Sequence, residues 1–300
     1  MNNYLADKKS KLFSCVENSS NVKPDKDQVF FNTSKEALLQ GFNPSTSNNP
    51  MFRNDMPEEV EKAFNLANHL PEKELRNSDL KTLELNITVV DEWFQNHHNM
   101  TFQEYHNIVY FNSQFGLADI YGSQKIEDDN FIVINRIINE LGVWIVGTTA
   151  KGITLLETAE RPNINKQLTR LKKHHKKNFI YGSHPLLIQL DNEINEYLNG
   201  TRKTFDVPID IKGTSFQEKV WQVLLAIPYG KTISYKEEAE TLGSAKAVRA
   251  VANANGINPV SIIVPCHRVI GHNGKLVGYG GKLWRKQHLI DLEKQKYNNK

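Results

Sequence analysis

The sequence predicts an α/β multidomain protein: a small helical region, an α/β domain, and a mostly helical domain built around a helix-turn-helix. Three observations predict it. Residues 131–160 hold three β-rich runs, FIVINRI, LGVWIVGTT and GITLLET, with Lys151-Gly152 as a hairpin turn between the last two. Helices with apolar residues at three- and four-residue spacing precede them (EEVEKAFNLANHL, TVVDEWFQNHH, FQEYHNIVYFN) and follow them (INKQLTRLKKHH, HPLLIQLDNEINEYLNG). Nearer the C-terminus two short helical stretches, KEEAETL and AKAVRAVANAN, are joined through Gly243.

Taken in order, residues 1–56 are rich in Asn, Ser, Lys and Asp, and GFNPSTSNNP at 41–50 reads as turn and linker. Residues 57–123 form the helical region, and QKIEDDN at 124–130 links it to the α/β domain at 131–211. There Gly200 closes a helix and TFDVPIDI returns to strand character. In the last domain, 215–300, Ser215 and Glu218 form an S-x-x-E capping box ahead of Phe216, Val220, Leu224 and Ile227. Ser234 and Glu237 repeat the pattern, Ser244 caps the next helix up to Gly256, and GKLWRKQHLIDLEK makes the last helix.

At 300 residues with 39% hydrophobic and 24% charged side chains, the chain has the composition of an ordinary globular protein. No run approaches the roughly 18–20 apolar residues that span a bilayer, and the opening MNNYLADKKSKLF lacks the apolar core of a signal peptide, so a cytoplasmic location with no membrane partner is expected. The net charge of +3 does not announce nucleic acid, and attention passes to two clusters, KKHHKK at 172–177 and Lys282, Arg285 and Lys286.

The chain has two cysteines, Cys15 and Cys266, too few for a disulfide framework. Cys266 stands in VPCHRVIG, directly before His267. A thiol attacks only as thiolate, and its ordinary pKa of about 8.5 calls for a neighbouring base or positive charge. A carboxylate that orients such a base would complete a triad, and the last helix offers both Asp291 and Glu293; spacing leaves the two open.

The segment NPVSIIVPCHRVIG, preceded by SYKEEAETLGSAKAVRAVANANGI and followed by GYGGKLWRKQHLIDLE, resembles the active-site region of the O6-alkylguanine-DNA alkyltransferases, the methylated-DNA–protein-cysteine methyltransferases. The likeness runs from about Ser215 to Glu293. It implies that Cys266 accepts the alkyl group, that His267 deprotonates it through a water, and that Glu293 is the carboxylate of the triad. Asn258 matches the hinge asparagine, Arg249 the arginine that replaces the extruded guanine, and Tyr235 the tyrosine beside the 3′ phosphate. Ser244, Ala247 and Ala250 would lie against the DNA, with Val269, Tyr279, Gly280 and Gly281 around the substrate pocket. The family's serine donor is missing from GYGG, so a hydrogen bond to O6 there would come from backbone.

The resemblance further implies a ribonuclease H-like domain at 131–211 and a winged helix-turn-helix alkyltransferase domain at 215–300. No cofactor and no metal are implied. The implied partner is double-stranded DNA carrying O6-alkylguanine, with O4-alkylthymine as a second lesion, and action as a monomer is expected. Upstream, residues 1–56 resemble a degenerate Ada-type zinc domain in which Cys15 keeps one ligand position and Ser19, Ser45 and Asn48 take the others; zinc binding is therefore not expected. Residues 57–123 resemble an AraC-type helix-turn-helix, in which His97, His98 and His106 are expected on helix surfaces. This arrangement leaves a second reading, an Ada-like transcriptional regulator that engages the transcription machinery. A third, a cysteine hydrolase, leaves Arg249, Tyr235 and Asn258 idle.

Overall fold

The computed structural model describes residues 3–10, 12–16, 24–45, 51, 56–69, 85–115, 125–161 and 164–298. It divides into two compact units, 1–118 and 119–300.

The first unit contains more than helices. Strands β1 (Asn3–Asp7), β2 (Leu12–Val16), β3 (Gln28–Phe31) and β4 (Asn43–Pro44) form a sheet in the order β3-β1-β2-β4. These strands are short and only partly alternating, so the sequence pattern does not separate them from linker. Helix α1 (Ser34–Leu39) is held by a capping box between Thr33 and Glu36. Helices α2 (Glu58–His69), α3 (Ile87–His98) and α4 (Phe102–Phe115) fall where the periodicity places them. Their shared core is aromatic, with Phe64 stacked on Tyr105 and Phe94 packed edge-on against Phe102. His98 and His106 are buried within it, correcting the expectation of surface histidines, and the Ser34 hydroxyl lies 2.9 Å from His98 Nδ1.

In the second unit, β5 (Phe131–Asn139), β6 (Gly142–Thr149) and β7 (Gly152–Thr158) form an antiparallel meander, with Thr149 opposite Gly152 across the turn. Helix α5 (Ile164–His175) then leads to β8 (Asn178–Tyr181), which the sequence pattern does not separate from the neighbouring helices. It runs parallel to β5, giving the order β7-β6-β5-β8. Helix α6 (Pro185–Leu198) comes next, its first turn capped by His184. TFDVPIDI does not form the expected strand. Pro208 has no N–H to give a ladder, and the segment makes a single bridge at Ile209, where Ile153 donates to Pro208 O and Asp210 donates to Ile153 O.

Helix α7 (Ser215–Leu225) starts one residue out of the expected register. Thr214 is the cap and pairs reciprocally with Gln217, while Glu218 accepts from the Gly213 N–H. After β9 (Ile233–Ser234), helix α8 (Tyr235–Thr241) keeps the Ser234–Glu237 capping box. Ser244 does not act as the expected cap: residues Ala245–Ala247 form a 3₁₀ turn before α9 (Val248–Gly256), with no side-chain cap on either. Strand β10 (Val269–Ile270) pairs with β9, and α10 (Leu283–Asn298) closes the unit.

A single core runs through this unit. It joins Trp144, Val146 and Leu156 of the sheet, Leu190 and Ile194 of α6, Val220 and Leu224 of α7, and Val264 to Val269 around Cys266. The expected domains at 131–211 and 215–300 thus share their apolar interior. The displaced cap gives a direct check: Thr214→Ala should cost about 1 kcal/mol in urea unfolding, and Ser215→Ala less than about 0.5 kcal/mol.

Candidate active site

The outer edge of β7 positions the site. Leu156 donates to Pro259 O and accepts from Ser261 N–H, each at 2.9 Å, so the segment leading to Cys266 is tied to the sheet by backbone bonds. The segment then folds tightly, with Val264 N–H on Val260 O and Cys266 N–H on Val264 O. Within it Ile262 has φ of 71°, a left-handed conformation that costs a β-branched residue about 1–3 kcal/mol and is kept where surroundings over-determine it. Cys266, His267 and Arg268 form one 3₁₀ turn.

Cys266 is 7% exposed. Asn258 Nδ2 donates to its Sγ at 3.2 Å and to Val264 O at 2.8 Å, while Asn258 Oδ1 accepts from Val260 N–H. Burial pushes the Cys266 thiol up to about 11, opposed by the Asn258 hydrogen bond. His267 is fully buried: its Nε2 lies 2.9 Å from Glu293 Oε1, and its Nδ1 has no protein partner. Burial lowers the pKa of His267 against the opposing pull of Glu293, so the ring is neutral at pH 7.

Glu293 gathers donors from distant elements. Tyr197 of α6 donates to Oε1 at 2.5 Å, Gly230 N–H to Oε2 at 2.9 Å, and Arg268 to both oxygens at 2.9–3.1 Å. Arg268 also donates to Ile227 O. Burial alone would raise the carboxyl, but the hydrogen bonds from His267 and Arg268 and the charge of Arg268 outweigh it and hold Glu293 at about 2. Asp291, the other candidate, lies exposed and accepts from Gln287.

The 277–281 loop lies beside this core. Tyr235, half-buried, donates through its hydroxyl to Val277 O and Gly278 O. Lys286 Nζ donates to the same two carbonyls, and Arg285 donates to Gly281 O, Leu141 O and Glu160. Both basic side chains of the cluster with Lys282 are therefore buried. Buried Lys286 is lowered to about 8, and buried Glu238, on which Asn255 donates, is raised to about 7. Val269 is fully buried, Tyr279 is half-buried, and Gly281 packs against Tyr279 and Thr158.

On α9, Arg249 and Ala250 are exposed, as is Ser244 before it; Ala247 is half-buried, and Val251 and Ala254 face inward. Residues that sequence reasoning misses are Arg268, Tyr197, Lys286 and the buried pair Glu157–Arg161. An arginine inside the apolar run of VPCHRVIG is a signal that a buried partner exists; the others carry no local sign.

Cys15 sits on β2 opposite Tyr4, and Ser45 N–H donates to Phe13 O. Ser19 and Asn48 lie outside the described residues. Among the described residues no three histidine, cysteine or acidic side chains gather as a metal site would need.

Residues 215–295 match the family described as 6-O-methylguanine DNA methyltransferase, DNA binding domain. A constitutive methylated-DNA–protein-cysteine methyltransferase of Bacillus subtilis is 42% identical over 161 residues, covering 53% of this chain and 94% of the relative. This chain belongs to the methylated-DNA–protein-cysteine methyltransferase family. A Mycobacterium bovis member of the family is 54% identical over 105 residues, 35% of this chain; the match spans 64% of that relative's length. The crystal structure of the Mycobacterium tuberculosis O6-methylguanine methyltransferase is 37% identical, covers 55% of this chain and 94% of its own, and has a TM-score of 0.49.

The buried ion pair yields a pH prediction. Because the Glu293 pKa is depressed in the fold, its stabilisation is complete above the unfolded value of about 4.3 and fades as pH falls toward 2. At pH 7, Glu293→Gln should destabilise by about 3–5 kcal/mol, since it leaves Arg268 charged and unpaired. Urea unfolding of parent and variant should show that difference shrinking steadily between pH 5 and about pH 3.

Proposed function

We propose that the chain repairs DNA by a single, irreversible transfer of an alkyl group from O6 of guanine to Cys266 Sγ. The observation that carries this reading is the hydrogen-bonded order Asn258–Cys266 and His267–Glu293 in one buried site, in a chain of this family.

With burial pushing the thiol up to about 11, it is held as the thiol at pH 7, so a base must take the proton during attack. Neutral His267 can do this at Nδ1 through a water, while Glu293 and Arg268 fix the ring and stabilise the imidazolium. The new bond is S–C and the broken bond is C–O6, whose electron pair stays on the guanine and is neutralised by a proton. The product is a thioether, for which the site has no leaving step, so each molecule acts once.

The alkyl group lies inside stacked duplex DNA, and the base must be extruded at a cost of a few kcal/mol. Arg249, exposed on α9, is suited to occupy the gap, with Ala247, Ala250 and Ser244 letting the helix approach the minor groove closely. Tyr235 flanks the phosphate, and Val269, Tyr279, Gly280 and Gly281 enclose the substrate. The sheet order β7-β6-β5-β8 supports a ribonuclease H-like half and the α8–α9 pair a winged helix-turn-helix half. On this reading the protein acts as a monomer on O6-alkylguanine and O4-alkylthymine.

A duplex holding one O6-methylguanine tests the reading. After incubation, peptide mass analysis should find one methyl per protein molecule, on the Cys266 peptide alone and never beyond stoichiometry, and none in Cys266→Ala. An unmodified Cys266 peptide from the parent overturns the proposal.

A further inference from the structure

The pocket loop is secured unevenly. Tyr235 and Lys286 hold its first end through the carbonyls of Val277 and Gly278, and Arg285 holds its far end through Gly281 O. Between those anchors lies Gly280, with no side chain of its own to pack. Behind it lies Arg161, from the end of β7: a Cβ added at Gly280 would meet the Arg161 Cζ at 2.7 Å and Nη2 at 3.1 Å. The guanidinium thus occupies the space that a side chain at Gly280 would take, and a lysine ammonium does not have its planar shape.

Arg161 is itself fixed from two sides. Nη1 donates to Glu157, a fully buried carboxylate on β7, and Nη2 donates to Gly256 O at the end of α9. Thr158 N–H and Ser261 Oγ, at 2.9 and 3.5 Å, complete the surroundings of Glu157. The Arg161 side chain is only 11% exposed, so it is not a solvated surface cation. Through Glu157 it meets Ser261, in the segment that leads to Cys266.

We propose that Arg161 is a specificity-determining residue of the alkyl pocket: its guanidinium backs the Gly280 backbone and limits the size of the O6 substituent the site accepts. A loop of small residues could yield to a bulky group, and the guanidinium braced on Glu157 and Gly256 removes that freedom. The inference rests on the alkyl-transfer reading. It adds to it a role for the α/β half, whose sequence carries no chemical motif.

Single-turnover rates measured with duplexes containing O6-methylguanine or O6-benzylguanine test it, with the benzyl-to-methyl ratio as the readout. In Arg161→Ala the ratio should rise about tenfold, the size of one pocket contact, and in Arg161→Lys by less. Gly280→Ala, whose new methyl group would push loop and guanidinium apart, should lower the ratio and serves if Arg161→Ala does not fold. A ratio unchanged in Arg161→Ala, with both rates falling together, is the outcome of a merely structural role and overturns the proposal, as does a raised or unchanged ratio in Gly280→Ala. A parent chain that transfers neither group overturns the alkyl-transfer reading itself, which a failed ratio alone does not.

Discussion

Burying the carboxylate of Glu293 obliges its neighbours to supply donors, because an unpaired ion in that interior would cost several kcal/mol. The donors come from separate places in the chain: Tyr197 on α6, Gly230 in the turn after α7, and His267 and Arg268 beside the thiol. Helix α10, which carries Glu293, is thereby locked to the 3₁₀ turn carrying Cys266. One ion pair thus sets the position of α10, the tautomer of His267 and the direction in which its free nitrogen faces.

The thiol has a different environment from the histidine next to it. Cys266 is held by Asn258, which the bridge between Leu156 and Val260 fastens to the sheet, whereas His267 is held by the C-terminal helix. Adjacent residues are therefore oriented by different elements of one unit, the segment tied to β7 and the helix α10. This explains why the strained Ile262 is tolerated: backbone bonds on either side of it and the shared core leave the segment no relaxed alternative. The α/β half also reaches this loop, since Glu157 on β7 accepts from Arg161, whose guanidinium lies beside Gly280.

Much of this is legible in the sequence, and the remainder is not for definable reasons. The meander and the longer helices declare themselves through apolar period, and VPCHRVIG marks the site. The cap of α7 is ambiguous because Thr214-x-x-Gln217 and Ser215-x-x-Glu218 both satisfy one pattern, and the fold selects the former. Asp291 and Glu293 are two positions apart on α10 and so face different ways, a choice that only the packing of the helix resolves. Arg285 and Lys286 stand in the sequence as a basic cluster, and carbonyls of Leu141, Val277 and Gly278 receive them; sequence gives no sign of such distant acceptors. In the N-terminal unit, strands of four or five residues with weak alternation are hidden within a polar composition.

Nitrogen NMR of isotope-labelled histidine, with His267→Gln to assign the signal, tests the central constraint most directly. The arrangement predicts that at pH 7 His267 is neutral, protonated on Nε2 toward Glu293 and bare on Nδ1. A proton on Nδ1, or an imidazolium at that pH, would contradict it, because neither form could accept the Cys266 proton.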